Sequence, residues 1–87
     1  MEIILSPDAN DDLQFWKRSG NVSVQKKIAN LIADIAAHPK TGIGKPEELK
    51  YDLSEKWSRH IDRKNRIVYQ IFETEVHILS LKGHYEK

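Results

Sequence analysis

Two hydrophobic periods divide the chain. From Ser6 to His38 apolar residues recur every three or four positions, the spacing of a helix with one buried face. Ala9, Leu13 and Trp16 form one such stripe, and Val24, Ile28, Leu31, Ile32 and Ile35 form a second. Ser6-Pro7-Asp8 is a helix start: a capping hydroxyl, proline at the first helical position, then an acid in the first turn. Gly20-Asn21 ends the first helix, Asn21 or Ser23 caps the second, and Pro39 stops it by His38. Before these helices, residues 2–5 read as a short strand. After them the period changes. Residues 40–46 contain Gly42, Gly44 and Pro46 and form a loop. Leu49, Tyr51 and Leu53 then alternate with Lys50 and Asp52, which predicts a strand. Further strands are expected over 57–62, 66–72 and 76–82. The order β-α-α-β-β-β-β predicts an α+β domain, a mostly antiparallel sheet with a two-helix hairpin packed on one face. Without repeats or linkers, residues 1–87 read as a single domain.

The strand pattern also separates two faces. Trp57, Arg59 and Ile61 share one parity; Ser58, His60 and Asp62 share the other. A three-residue loop, Arg63-Lys64-Asn65 with Asn65 left-handed, would pair Asp62 with Arg66 and His60 with Val68. Trp57, Ile61, Ile67, Tyr69 and Ile71 then form an apolar face, while His60 and Arg66 share the opposite one. An even-numbered loop would separate them. Arg59 falls on the apolar side, which makes it structural or the partner of a buried acid.

Composition narrows the class. Hydrophobic residues make up 39% and charged residues 31% of the 87, a balance suited to a folded domain. The chain has no cysteine, so disulfides and thiolate metal sites are excluded, and a reducing cytoplasm is the expected location. The run Ile3-Ile4-Leu5 is far too short for a signal peptide or membrane span. Net charge is +1 overall, but residues 40–66 carry eight Lys/Arg against five Asp/Glu. That excess is compatible with a phosphate-binding face and equally with an ordinary solvated surface.

Four separated motifs, K-P-E-x-L-K, W-S-R-x-I, N-R-I-V-Y and a terminal G-H-Y, occur here in that order. In these the chain resembles the YoeB (Txe) toxins of the RelE superfamily, nearly end to end. The resemblance implies the RelE-like fold, which has the predicted element order. It also implies the toxin of a type II toxin–antitoxin pair, a metal-independent endoribonuclease that cuts messenger RNA in the ribosomal A site. No cofactor is expected. The implied partners are a cognate antitoxin and messenger RNA on the bacterial ribosome, with a toxin homodimer also allowed and no membrane.

The site residues follow from the same motifs. Alone, Glu47 beside Glu48 reads as a solvated acid; the resemblance makes it the general base that takes a 2′-hydroxyl proton. Arg66 becomes the guanidinium that stabilises the charged phosphorane. His84 becomes the general acid for the departing 5′-oxygen, and Tyr85 the ring that orients the nucleotide, although residues so close to a terminus are ordinarily idle. Lys50, His60 and, more weakly, Lys45 are assigned phosphate contacts, against the competing reading of solvated surface groups. Trp57 and Tyr69 read as core, and His38 and His77 as without a functional role; the histidines lack the spacing of a metal site.

Three departures stand out. The family commonly reads W-S-R-R-I where this chain has His60. It usually has L-S-G where this chain reads Leu53-Ser54-Glu55-Lys56, and Glu86-Lys87 follow the His-Tyr pair. Histidine is charged only when protonated, so weaker binding or a stronger pH dependence is expected. Two other readings remain open: a ParE-like protein that poisons gyrase without cutting RNA, and an inactive homologue that keeps only its antitoxin-binding role. The Glu47, Arg66 and His84 set argues against the first.

Overall fold

The computed structural model describes residues 1–49 and 55–83. The chain runs β1 (Glu2–Leu5), α1 (Pro7–Ser19), α2 (Val22–Ala37), β2 (Glu47–Glu48), β3 (Lys56–His60), β4 (Arg66–Ile71) and β5 (Glu75–Ser80). This is the expected order. The strands form one open five-stranded sheet, β1-β5-β4-β3-β2. Only the β1–β5 pair is parallel; the other three are antiparallel.

Local chemistry accounts for the helical half. The Ser6 hydroxyl accepts from the Ala9 amide at 3.1 Å and donates to the Leu79 carbonyl at 3.1 Å. One residue thus caps α1 and ties its start to β5. Gly20 ends α1 with φ 73°, a left-handed conformation that glycine adopts without strain. The Asn21 side chain accepts from the Val24 amide at 3.1 Å and starts α2. The other end of α1 is also anchored to the chain leaving β5. Trp16 donates its indole N–H to the Leu81 carbonyl at 2.8 Å, and Asp12 accepts from the Leu81 amide at 2.9 Å.

The core lies between the helices and one face of the sheet. It contains Ala9 and Trp16 of α1, Val24, Ile28, Leu31 and Ile35 of α2, and Ile67, Tyr69, Val76 and Ile78 of the sheet. Ile32, expected in the α2 stripe, packs at its margin, only partly buried. Trp57 likewise packs against the core without being fully buried.

The strand hairpin departs from the expected register. His60 pairs with Arg66, and Ser58 with Val68, so the β3–β4 loop spans residues 61–65. The cause is Asp62. Its Oδ1 accepts from the amides of Lys64 (2.8 Å) and Asn65 (2.7 Å), closing a wider turn around a side-chain acceptor. Asn65 is not left-handed; among the described residues, Lys45 is the non-glycine residue with positive φ. Five and three are both odd, so face parity is unchanged: Trp57, Arg59, Ile67 and Tyr69 remain together, as do Ser58, His60, Arg66 and Val68. Strand β2 also begins earlier than the alternation suggested, at Glu47. The expected strand positions Tyr51 and Leu53 lie outside the described residues.

Candidate functional site

The candidate site is the sheet face opposite the helices, at the loop end of the β3–β4 hairpin. Register places its residues in rows. Glu47 of β2 stands opposite Ser58 of β3, which stands opposite Val68 of β4. One step along, His60 stands opposite Arg66. Since side chains two positions apart share a face, Glu47, His60 and Arg66 converge. Ser58 lies between them, 1% exposed, with its hydroxyl 3.5 Å from Arg66 Nη1.

The electrostatics agree with this placement. Burial pushes His60 below the ordinary histidine value, the charges of Arg66 and Lys45 push it the same way, and Glu47 opposes them. His60 is therefore mainly neutral at pH 7. The structure brings four of the expected site residues, Glu47, Arg66, His60 and Lys45, into one charged cluster. Lys50, His84 and Tyr85 lie outside the described residues. Gly83, to which His84 is bonded, is held at this end of the hairpin: its carbonyl accepts from the Arg66 amide at 3.0 Å, and its amide donates to Asn65 Oδ1 at 2.8 Å.

Beneath the cluster, on the core side, Arg59 is fully buried. Its Nη1 donates to Asp34 Oδ2 at 2.5 Å and to the Ile43 carbonyl at 3.1 Å. Its Nη2 donates to the carbonyls of His38 (2.5 Å) and Thr41 (2.9 Å), and its Nε to the Tyr69 hydroxyl at 3.1 Å. Tyr69 in turn donates to the Pro39 carbonyl at 2.7 Å. The Arg59 hydrogen bond holds the Asp34 carboxyl below its usual range, while burial pushes the Tyr69 hydroxyl up. Arg59 is thus the partner of an acid, as its parity implied. The larger role, binding three loop carbonyls, had no signal in the pattern. It fastens residues 38–43 to the sheet and so positions the segment that leads to Lys45 and Glu47.

That segment is clamped at its far end as well. The His60 amide donates to the Gly44 carbonyl at 2.7 Å. Gly44 (φ 79°) and Lys45 (φ 55°) are both left-handed, and Lys45 directly precedes Pro46, where an extended conformation is favoured. A Cβ at Gly44 would lie 2.7 Å from Leu31 Cδ2 and 3.1 Å from the His60 carbonyl. The backbone therefore passes between the core and β3 where only glycine fits, and strand pairing resumes at Glu47.

A groove of about 600 Å³ opens beside the cluster, lined by Lys27, Gly44, Lys45, His60, Ile61, Asp62 and Arg63. Lys27 was not singled out by the sequence; its only signal was the basic pair Lys26-Lys27 on the exposed side of α2. Among the described residues, no three His, Cys, Asp or Glu side chains cluster to hold a metal ion. No helix among them is long and apolar enough to cross a membrane. His77 pairs with Glu75 at 2.7 Å, away from the cluster.

A family model described as a YoeB-like toxin of bacterial type II toxin–antitoxin systems matches residues 5–85. The chain belongs to the YoeB toxin family. It is 42% identical to a YoeB toxin of Streptomyces coelicolor, over 98% of this chain and all of that one. Among solved structures, a YoeB/ParE toxin from Agrobacterium tumefaciens superposes with a TM-score of 0.90 at 32% identity, covering 98% of this chain and all of the other. YoeB of Staphylococcus aureus has been solved as a dimer (TM-score 0.87, 35% identity) and in complex with YefM (TM-score 0.84, 36% identity), each covering 98% of both chains. The expected fold class and family therefore hold.

Proposed function

We propose that this YoeB-family toxin is an endoribonuclease that cleaves messenger RNA in the ribosomal A site. The observation that carries the reading is the convergence of Glu47, His60 and Arg66 in adjacent rows on one sheet face. A carboxylate and a guanidinium on one face can work on one phosphodiester from two sides. Glu47 takes the proton of the 2′-hydroxyl, and the 2′-oxygen attacks the adjacent phosphorus. The bond from phosphorus to the 5′-oxygen breaks, and His84 returns a proton to that oxygen. The products are a 2′,3′-cyclic phosphate and a 5′-hydroxyl. Arg66 stabilises the extra charge on the non-bridging oxygens, which a planar donor fork suits. Lys50, Lys45 and His60 hold phosphate, and Tyr85 orients the base. Gly83, fixed on the Arg66 backbone, anchors the chain one residue before His84, which supports its assignment. Every proton transfer in this scheme is made by a side chain, and no cofactor is required.

A partner follows from the same reading. The Staphylococcus aureus relative forms a complex with YefM and also a dimer. We infer a cognate antitoxin for this chain, and self-association as a second state.

The test is induced expression in bacteria of the native chain beside Glu47→Ala and His84→Ala, following growth and messenger RNA 5′-ends together. Arrest with new cuts inside translated frames, both lost in the two variants, is the expected result. Arrest without cuts would redirect the reading to gyrase or another target. No arrest from well-expressed native protein would mark an inactive partner.

A further inference from the structure

The groove beside the cluster brings two cations, Lys27 and Arg63, that have no part in the cleavage scheme. Lys27 comes from α2, Lys45 from the segment before β2, and Arg63 from the β3–β4 loop. Three elements distant in sequence thus bring three cations to one cavity. Asp62 is the acid in the lining, and its carboxylate is committed to its own loop. It accepts from the amides of Lys64 and Asn65 and from the Asn65 side chain. Burial pushes its pKa up, but these hydrogen bonds outweigh burial and keep it ionised. Among the described residues, none of the three cations forms an ion pair with a carboxylate. A cavity with this excess of positive charge fits an anion.

Its position says which anion. His60 lines the groove and also stands opposite Arg66 in the cluster, so the two share a residue and lie side by side. Lys45 lies two residues before Glu47, about 7 Å of extended chain, of the order of the step between neighbouring phosphates in an extended strand. The backbone is also strained where it serves the groove. Lys45 is left-handed before a proline, held there by the Gly44–His60 hydrogen bond and the glycine-only passage. Strain retained at such a point marks a place where position matters more than local stability. Resting on the nuclease reading, we propose that Lys27, Lys45 and Arg63 form a second phosphate subsite, which holds the phosphodiester next to the scissile one.

The test uses the purified chain and a fluorescent single-stranded RNA hexamer that is 2′-O-methylated throughout, so that no nucleophile is present. A 2′-O-methyl dinucleotide with a single phosphodiester serves as the short probe. Lys27 and Arg63 are both exposed, so Lys27→Gln/Arg63→Gln leaves the fold unchanged. Expected is a loss of hexamer affinity of about tenfold at low salt, with the slope of log affinity on log salt shallower by about 1.4. Binding of the dinucleotide stays as in the native chain. Equal losses on both probes, no loss on either, or no measurable hexamer binding by the native chain would each overturn the subsite. A defect confined to ribosome binding, with hexamer affinity intact, would also overturn it and assign the groove to ribosomal phosphates. The nuclease reading fails separately: Glu47→Ala is expected to bind the hexamer normally while cutting no message, and a Glu47→Ala chain that still cuts refutes the base and not the groove.

Discussion

Arg59→Lys should be far more harmful than its retained charge suggests. Arg59 makes five hydrogen bonds from three nitrogens, to the Tyr69 hydroxyl, Asp34 and the carbonyls of His38, Thr41 and Ile43. A lysine ammonium has three donors on one atom and lacks the planar fork. At least two acceptors therefore lose their partner. A buried acceptor left unpaired costs about 1–3 kcal/mol. Thr41 and Ile43 are exposed residues whose carbonyls can recover some water, so about 2–4 kcal/mol is expected in all. A domain of this size loses about 4–8 °C of Tm per kcal/mol, giving a drop of about 8–32 °C. Urea unfolding followed by tryptophan fluorescence measures the loss. Hydrogen exchange locates it: the His60 amide, bonded to Gly44, should exchange faster while the β4–β5 amides keep their protection. Arg59→Met separates charge from geometry. Were the ion pair with Asp34 the main contribution, an apolar replacement of similar volume could be neutral. If the three carbonyls matter, Met is no better than Lys. A Lys variant within about 0.5 kcal/mol of the native chain, the range of an ordinary surface change, would refute the account.

Three further outcomes follow. Gly44→Ala should destabilise by about 1–3 kcal/mol, since its Cβ would meet Leu31 at 2.7 Å and φ is 79°; thermal melts check this, and an unchanged Tm would show that the passage is not tight. His60→Arg should flatten the pH dependence of RNA binding. The folded-state pKa of His60 is depressed, so the native chain gains positive charge, and affinity, only as pH falls below about 6.5. The same depression means His60 opposes folding as pH falls through that window and has no such effect above it; anisotropy titrations from pH 5 to 8 should show a slope in the native chain and none in the arginine variant. Trp16→Phe should lose about 1–2 kcal/mol, because it deletes the donor to the Leu81 carbonyl and leaves that acceptor unpaired; a chemical melt indistinguishable from the native one would refute the anchoring role.

Much of this arrangement could be read from the order of residues, because it depends on parity and caps. Ser6, Pro7, Gly20 and Pro39 act through their own backbone neighbours, and the helices begin and end where those residues place them. The shared face of His60 and Arg66 was legible for the same reason: any odd-numbered loop preserves it. The loop's length was not legible, since Asp62 can close a turn of more than one size and only its hydrogen bonds in three dimensions select residues 61–65. The long-range constraints were hidden more deeply. That Arg59 sits on the core side follows from parity, but that it binds three carbonyls from residues 38–43 does not, because backbone acceptors leave no mark in a sequence. The contribution of Lys27 is invisible for a related reason: an exposed lysine on a helix looks the same whether it faces bulk water or a groove. The family motifs single out Glu47 and Arg66, yet their spelling does not show what positions the two residues. That work falls to Arg59, Gly44 and Asp62, which respectively hold the segment before β2, let it pass against β3, and set the register that brings His60 opposite Arg66. A substitution at any of these three should therefore disturb the cluster without touching any residue assigned to the chemistry.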